Sequence, residues 1–361
     1  MKIFFLAFCS MWLICTCIGC KDICINPTVH ESYSICYCGY GQIKINNISG
    51  TAPVNISIQD GNYRTGYYDD YPQWSPDGRY IVFQRLRPDT IYNPFICIYD
   101  TKNKTYTNLT SDGGIASSNP QWTPNGKVYF SYERPILSTT ATYMMNPDGS
   151  DKRKILNDSA ASIYFYQDSY TFLYSTGDGN QLYKTNIDGT SKGFVCDLHQ
   201  TLNQYIAIQG FNPTTQELLF AYILPKDSSS RIAIYNIETK AVSDLLIADH
   251  GYTFFQISYS HDCSRIALIE NSRQDEYLSI YQNGIKQRLV KILYDTTQGY
   301  QTFSWYSPEF SSDGKYIAFD KQVFGSGPWV NFLQYLSVVD VNTGDVQFVD
   351  KGFGVSWDPQ P

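Results

Sequence analysis

The chain has 361 residues, of which 43% are apolar and 16% aromatic, with 31 Tyr. That composition supports an extensive core and excludes global disorder, while the length admits one large domain or two ordinary ones. A formal net charge of −7 without a long basic run argues against nucleic acid as a partner.

The first residues read as an export signal. Lys2 supplies the positive start, Ile3 to Ile14 is mostly apolar, and small residues and cysteines follow. The stretch is too short for a membrane span, and no later segment approaches the length of one. Cys17-Ile18-Gly19-Cys20 resembles a bacterial lipobox, with Cys17 where that motif usually carries Leu. The resemblance implies a lipoprotein signal peptide over 1–19, lipidation of Cys20 and a short linker over 20–31. It also implies secretion across the inner membrane and lipid anchorage in the cell envelope. The outer membrane is the expected site, with the chain facing the periplasm or the surface.

Beyond Cys20 lie Cys24, Cys36, Cys38, Cys97, Cys196 and Cys263, scattered through a region large enough to fold without staples. They read as small buried hydrophobes. Cys36 and Cys38, two apart on an expected strand, face the same side, and a bridge from Cys24 to either is the alternative. No second Cys pair or nearby His completes a metal site.

An internal repeat is the strongest signal. Pro72-Gln73-Trp74-Ser75-Pro76-Asp77-Gly78 recurs as Pro120-Gln121-Trp122-Thr123-Pro124-Asn125-Gly126 and as Pro308-Glu309-Phe310-Ser311-Ser312-Asp313-Gly314, with a degenerate copy at Ile257 to Leu268. Each copy is a hairpin: an aromatic ends one strand, a turn rich in Pro, Asp or Asn and Gly follows, and a β-branched and aromatic run makes the next strand. A second hairpin follows, as at Tyr143 to Gly149 and Leu182 to Gly189. The unit is four short strands, the size of one propeller blade.

Key aromatics fall at Trp74, Trp122, Phe165, Phe211, Tyr259, Phe310 and Trp357, a near-constant spacing that long helices would not give. The chain stops after the first strand of a repeat, and Tyr33 to Ser57 supplies the other three. The expected fold is therefore an all-β, seven-bladed β-propeller of four-stranded blades over 32–361, its last blade closed by the N- and C-terminal strands. Six or eight blades are the alternatives.

These repeats, of a WD-like propeller type, resemble the TolB β-propeller family, whose mark is a Trp-Ser-Pro-Asp-Gly turn. The chain departs from TolB in lacking an α/β domain before the propeller, so TolB's envelope partners do not carry over. The same repeats occur in oligogalacturonate lyases and in the propellers of prolyl-oligopeptidase-like enzymes.

Catalytic motifs are thin. Gly189-Thr190-Ser191-Lys192-Gly193 matches G-x-S-x-G but falls in a blade turn, without the strand and helix a nucleophile elbow requires. His30, His199, His250 and His261 form no metal-binding pair. His199 and His250, in connections between repeats, are the only candidates to meet at the pore. No catalytic residue, metal ligand or cofactor is assigned.

Connections between blades and between second and third strands share one face, and they are rich in Tyr. Candidate ligand-binding residues there are Tyr63, Tyr67, Tyr68, Asp69, Asp70, Arg85, Arg87, His250, Tyr252, Tyr300 and Trp329. Aromatic faces with Asp and Arg suit a sugar, a peptide or a protein tail; the plain alternative is Tyr filling loop surface. The expected function is a non-enzymatic, monomeric envelope or cell-surface module that binds an envelope protein, peptide or glycan. The alternative is a carbohydrate-active enzyme resembling oligogalacturonate lyase.

Overall fold

The computed structural model describes residues 33–360, apart from 51–52, 58–67, 88–89, 111–115, 135–138, 158–159, 161, 167, 169, 177–180, 203–205, 225, 227, 273–274, 293–300, 304–307 and 325–331. The signal, Cys20, Cys24 and the candidates Tyr63, Tyr67, Tyr300 and Trp329 lie outside the described residues.

Seven antiparallel sheets form, one per repeat. The first blade runs outward through Tyr68–Trp74, Tyr80–Arg87, Thr90–Asp100 and Thr105–Asn108, and the second through Ala116–Trp122, Val128–Arg134, Thr139–Met145 and Arg153–Leu156. The third comprises Ser162–Phe165, Thr171–Thr176, Gln181–Asn186 and Gly193–Asp197. The fourth comprises Ala207–Asn212, Glu217–Leu224, Ser229–Asn236 and Val242–Ile247, and the fifth Thr253–Tyr259, Ile266–Asn271, Glu276–Gln282 and Ile285–Ile292. In the sixth, two short inner pieces, Gln301–Phe303 and Glu309–Phe310, pair with Tyr316–Phe324, followed by Phe332–Asp340 and Val346–Lys351. Among the described residues the one helix is the single turn Leu198–Leu202, which carries His199, and no helix is long and apolar enough to cross a membrane.

The seventh blade joins the two ends of the chain. Phe353–Trp357 is its innermost strand and pairs with Ser34–Gly39, setting Trp357 opposite Ile35; Gln42–Asn47 and Val54–Asn55 complete it. The ring therefore has seven blades, and two strand edges are removed by pairing with each other.

The recurrent turn explains its own sequence. In the first blade Ser75 Oγ donates to Asp77 Oδ1 at 2.6 Å, and Tyr80 N donates back to Ser75 Oγ at 2.8 Å. Thr123 and Asn125, Ser260 and Asp262, and Ser311 and Asp313 repeat the bond at 2.6, 2.6 and 2.9 Å. Gly78 and Gly314 both sit at φ 68°, where a Cβ is disfavoured. The degenerate copy holds Cys263 there instead, at φ 57°.

Between blades the core is aromatic and aliphatic. Trp74 packs with Cys36, Cys38, Ile81 and Phe83 at the seam of the closing and first blades. Trp357 packs with Ile35, Tyr37 and Ala318 on the other side of the closing blade. Cys36 and Cys38 thus face one seam together while Ile35 and Tyr37 face the other, as a period of two requires. Cys36, Cys38, Cys97 and Cys196 are buried free thiols, and burial, the largest influence, pushes the Cys38 and Cys97 thiols up to about 12.

Candidate functional site

Sequence places Asp69, Asp70 and Arg85 on exposed loops; in the structure they belong to strands. Tyr68–Trp74 is the innermost strand of the first blade and Tyr80–Arg87 the next, with Asp69 opposite Arg85 and Asp70 opposite Gln84. Arg85 donates to Asp69 through Nε and Nη2, each at 2.7 Å, and the two side chains are 1% and 2% exposed. Arg85 also lies over the rings of Phe83 and Tyr106, at 5.4 and 5.1 Å. Burial opposes the Arg85 charge, but the Asp69 bonds outweigh it and hold the guanidinium protonated. This pair braces the strands rather than offering a surface to a ligand. Tyr68 packs into the adjoining seam, and Arg87 ends its strand.

Asp70 differs from Asp69. It is 9% exposed, and its Oδ1 has no hydrogen-bond partner among the described residues. Burial, and then the neighbouring Asp69 charge, push its carboxyl up to about 7.

His250 and Tyr252 lie in a tight turn before the fifth blade, closed by Tyr252 N donating to Asp249 O at 2.9 Å. The Arg288 guanidinium sits 4.7 Å from the Tyr252 ring and 4.4 Å from the Tyr277 ring. Lys286 and Arg288 each bridge Asp249 and the fully buried Glu270. Burial would raise the Glu270 carboxyl, but Lys286, Ser279 and Arg288 outweigh it and hold it below the usual range. The Tyr252 ring therefore lies against the Arg288 end of an ion network. Among the described residues no three His, Cys, Asp or Glu side chains are grouped to hold a metal ion.

A second feature comes from comparing blade seams. Neighbouring innermost strands are stitched by hydrogen bonds at six of them. Trp122 Nε1 donates to Gln73 O and Trp357 Nε1 to Glu309 O, both at 2.9 Å. Tyr164 OH donates to Ile208 O at 2.9 Å, and Ile257 N to Gln209 Oε1 at 2.7 Å. Ser258 Oγ donates to Pro308 O, and Trp74 N to Ser356 Oγ at 3.1 Å. Among the described residues no such bond links the innermost strands of the second and third blades. Phe165 stands there in the place of Trp122 and Trp357 and has no ring N–H to donate.

At that seam lies a cavity of about 170 Å³. Tyr71, Gln73, Asn119 and Gln121 line it from the first two blades' innermost strands, with Tyr129, Ser131 and Thr142 behind them and Ser162 and Ile163 from the third. Two β-bulges shape its rim. Tyr71 and Pro72 together stand opposite Phe83, and Asn119 and Pro120 opposite Phe130, one extra residue in each strand. Proline fits a bulge because no ladder bond needs its missing N–H. Tyr71 and Asn119 sit at φ 51° and 53°, a region that costs a bulky residue such as Tyr71 on the order of 1–3 kcal/mol and that clusters at functional sites. Both residues are exposed. The third blade's innermost strand has no bulge, pairing continuously from Ser162 with Ser175 to Phe165 with Phe172.

The Tyr129 hydroxyl donates to Gln121 Oε1, which fixes that amide with its N–H₂ group left to donate. The cavity is thus bounded by amides, hydroxyls and an exposed phenol, which both donate and accept without ionising, together with the apolar Pro120, Phe130, Ala160 and Ile163.

Comparison with known proteins bears on the fold. No protein family matches the chain, and no curated protein sequence does. Solved structures do match: a prolyl endopeptidase at TM-score 0.60 and 9% identity, covering 90% of this chain and 50% of that one. An oligogalacturonate lyase in complex with manganese matches at TM-score 0.58 and 11% identity, covering 90% and 86%. TolB from Acinetobacter baumannii matches at TM-score 0.46 and 18% identity, covering 91% and 67%. At these identities what is shared is the propeller, and the chain spans half the length of the prolyl endopeptidase.

Of the candidates whose side chains are described, Tyr68, Asp69, Asp70, Arg85, His250 and Tyr252, none lines the cavity. One legible signal was the pair Tyr71-Pro72 and Asn119-Pro120, a Pro inside a strand, which marks a bulge or an edge. The other is Phe165, the first position of the series after Trp74 and Trp122 to lack an indole.

Proposed function

We propose that the chain is a non-enzymatic recognition module of the bacterial cell envelope that binds a protein, peptide or glycan at the propeller's innermost strands. The observation that carries this is the lining of the cavity between the second and third blades. Its Gln, Asn, Ser, Thr and Tyr groups offer a polar ligand hydrogen-bond partners and a ring face that fix its orientation. The test is a screen of glycans and envelope peptides against the purified chain. A ligand whose binding weakens in Gln73→Ala supports the reading. Conversion of a polyuronide to an unsaturated product would replace it with a lyase.

The lipid anchor at Cys20 belongs to the same proposal and rests on the Cys17–Cys20 motif. Cys20→Ala then moves the protein from the membrane fraction to the soluble fraction; retention in the membrane fraction would remove the anchor from the account.

A further inference from the structure

We infer that the cavity between the second and third blades is a subsite for a single uncharged pyranose ring. This rests on the binding-module reading above and narrows it to one ligand class. Size is the first argument. A cavity of about 150 Å³ holds benzene; this one measures about 170 Å³ and has the exposed Tyr71 at its rim, so it takes one six-membered ring with some of its hydroxyls left outside.

The second argument is chemical complementarity. Gln73, Asn119 and Gln121 each carry a carbonyl and an N–H₂ group, and a sugar hydroxyl also both donates and accepts. Gln121 is already oriented by the Tyr129 hydroxyl, so less ordering is needed on binding. An apolar ring, such as a proline or phenylalanine side chain, would leave these amides unpaired on desolvation.

Charge gives the third argument. None of the described lining residues is ionised, so a carboxylate or ammonium would be desolvated there without a counter-charge. The ring is therefore neutral. Tyr71 supplies the flat face: 44% exposed at the rim and held in a left-handed bulge, it offers a rigid aromatic surface to the less polar face of a sugar.

Saturation-transfer NMR on the purified chain tests this, with methyl glycosides of glucose, galactose, mannose and N-acetylglucosamine beside galacturonate and a proline-rich peptide. At least one neutral glycoside should bind, with a dissociation constant on the order of millimolar for a single ring. Tyr71→Ala and Gln73→Ala should each weaken it about tenfold or more, while Tyr71→Phe stays within about twofold. Among the described residues the side-chain amide of Gln73 makes no hydrogen bond, and its bond to Trp122 uses the backbone carbonyl, so Gln73→Ala should leave the melting curve unchanged. The inference fails if no neutral glycoside binds, if both variants leave binding unchanged, or if galacturonate binds as tightly. Peptide binding lost in the same variants would discard the sugar and keep the binding module. Turnover of a polyuronide would discard the module itself.

Discussion

Arg85 grips Asp69 with two parallel bonds of 2.7 Å, both side chains almost completely buried, one residue before a carboxyl that has no such partner, Asp70. Two adjacent acids on one innermost strand therefore play different parts. Asp69 fixes the first blade's two inner strands at the place where Tyr71 leaves the ladder. Breaking a buried pair from one side leaves an uncompensated charge. Arg85→Met should cost about 3–5 kcal/mol in chemical denaturation, and the double variant with Asp69→Leu should recover most of it. Equal losses in the single and double variants would show that packing, not charge pairing, dominates.

Asp70 predicts the pH dependence. Its folded carboxyl is raised to about 7, above the unfolded value near 4. The folded state then binds more protons than the unfolded state, so this group makes stability fall as pH rises from about 4 to about 7. Asp70→Asn should flatten that segment, gaining about 2–4 kcal/mol relative to the parent between pH 5 and pH 8. Glu309, which burial pushes up to about 8, adds a slope of the same sign, so the difference between parent and variant isolates Asp70. Parallel stability–pH curves would contradict the assignment.

The closing blade predicts the effect of truncation. Phe353–Trp357 is the innermost strand beside Ser34–Gly39, and Trp357 Nε1 and Ser356 Oγ also stitch it to the sixth and first blades. Removing residues 353–361 should abolish a single cooperative melt in calorimetry, because both seams lose their inner edge. Trp357→Phe, which removes the indole N–H and shrinks a buried ring, should cost about 2–4 kcal/mol. A truncated chain that still melts as one cooperative unit would show that the ring does not depend on this strand.

Thiol reactivity gives a simpler check. Burial raises the thiols of Cys36, Cys38, Cys97 and Cys196, and a protonated buried thiol is a poor nucleophile. The native chain should react slowly with a thiol reagent at these four positions and quickly once unfolded. Cys263, half-buried in a turn, should react first. Fast native labelling of Cys38 would contradict the buried seam it occupies.

Four blades were legible because their turns carry their own chemistry: a Ser or Thr hydroxyl bonds an Asp or Asn two residues on, and a left-handed residue follows. The split blade was legible because Trp357 and Tyr33 to Ser57 are complementary parts of one repeat. The candidate site was less so. Asp69 and Arg85 look like loop charges in sequence, since nothing local reveals that they pair across two strands. The cavity lies where no hydrogen bond among the described residues stitches the second and third blades' innermost strands, beside bulges that break the period-two pattern at Tyr71 and Asn119. Both are relations between blades, and a single repeat read alone contains neither.

Hydrogen exchange by mass spectrometry, with and without a saturating neutral methyl glycoside, tests the central claim of ligand binding at the innermost strands most directly. Slower exchange is predicted in the segments spanning Tyr68–Trp74 and Ala116–Trp122, with the outer strands Thr105–Asn108 and Ile285–Ile292 unchanged. Protection confined to outer strands, or no change in those two inner segments, would contradict it.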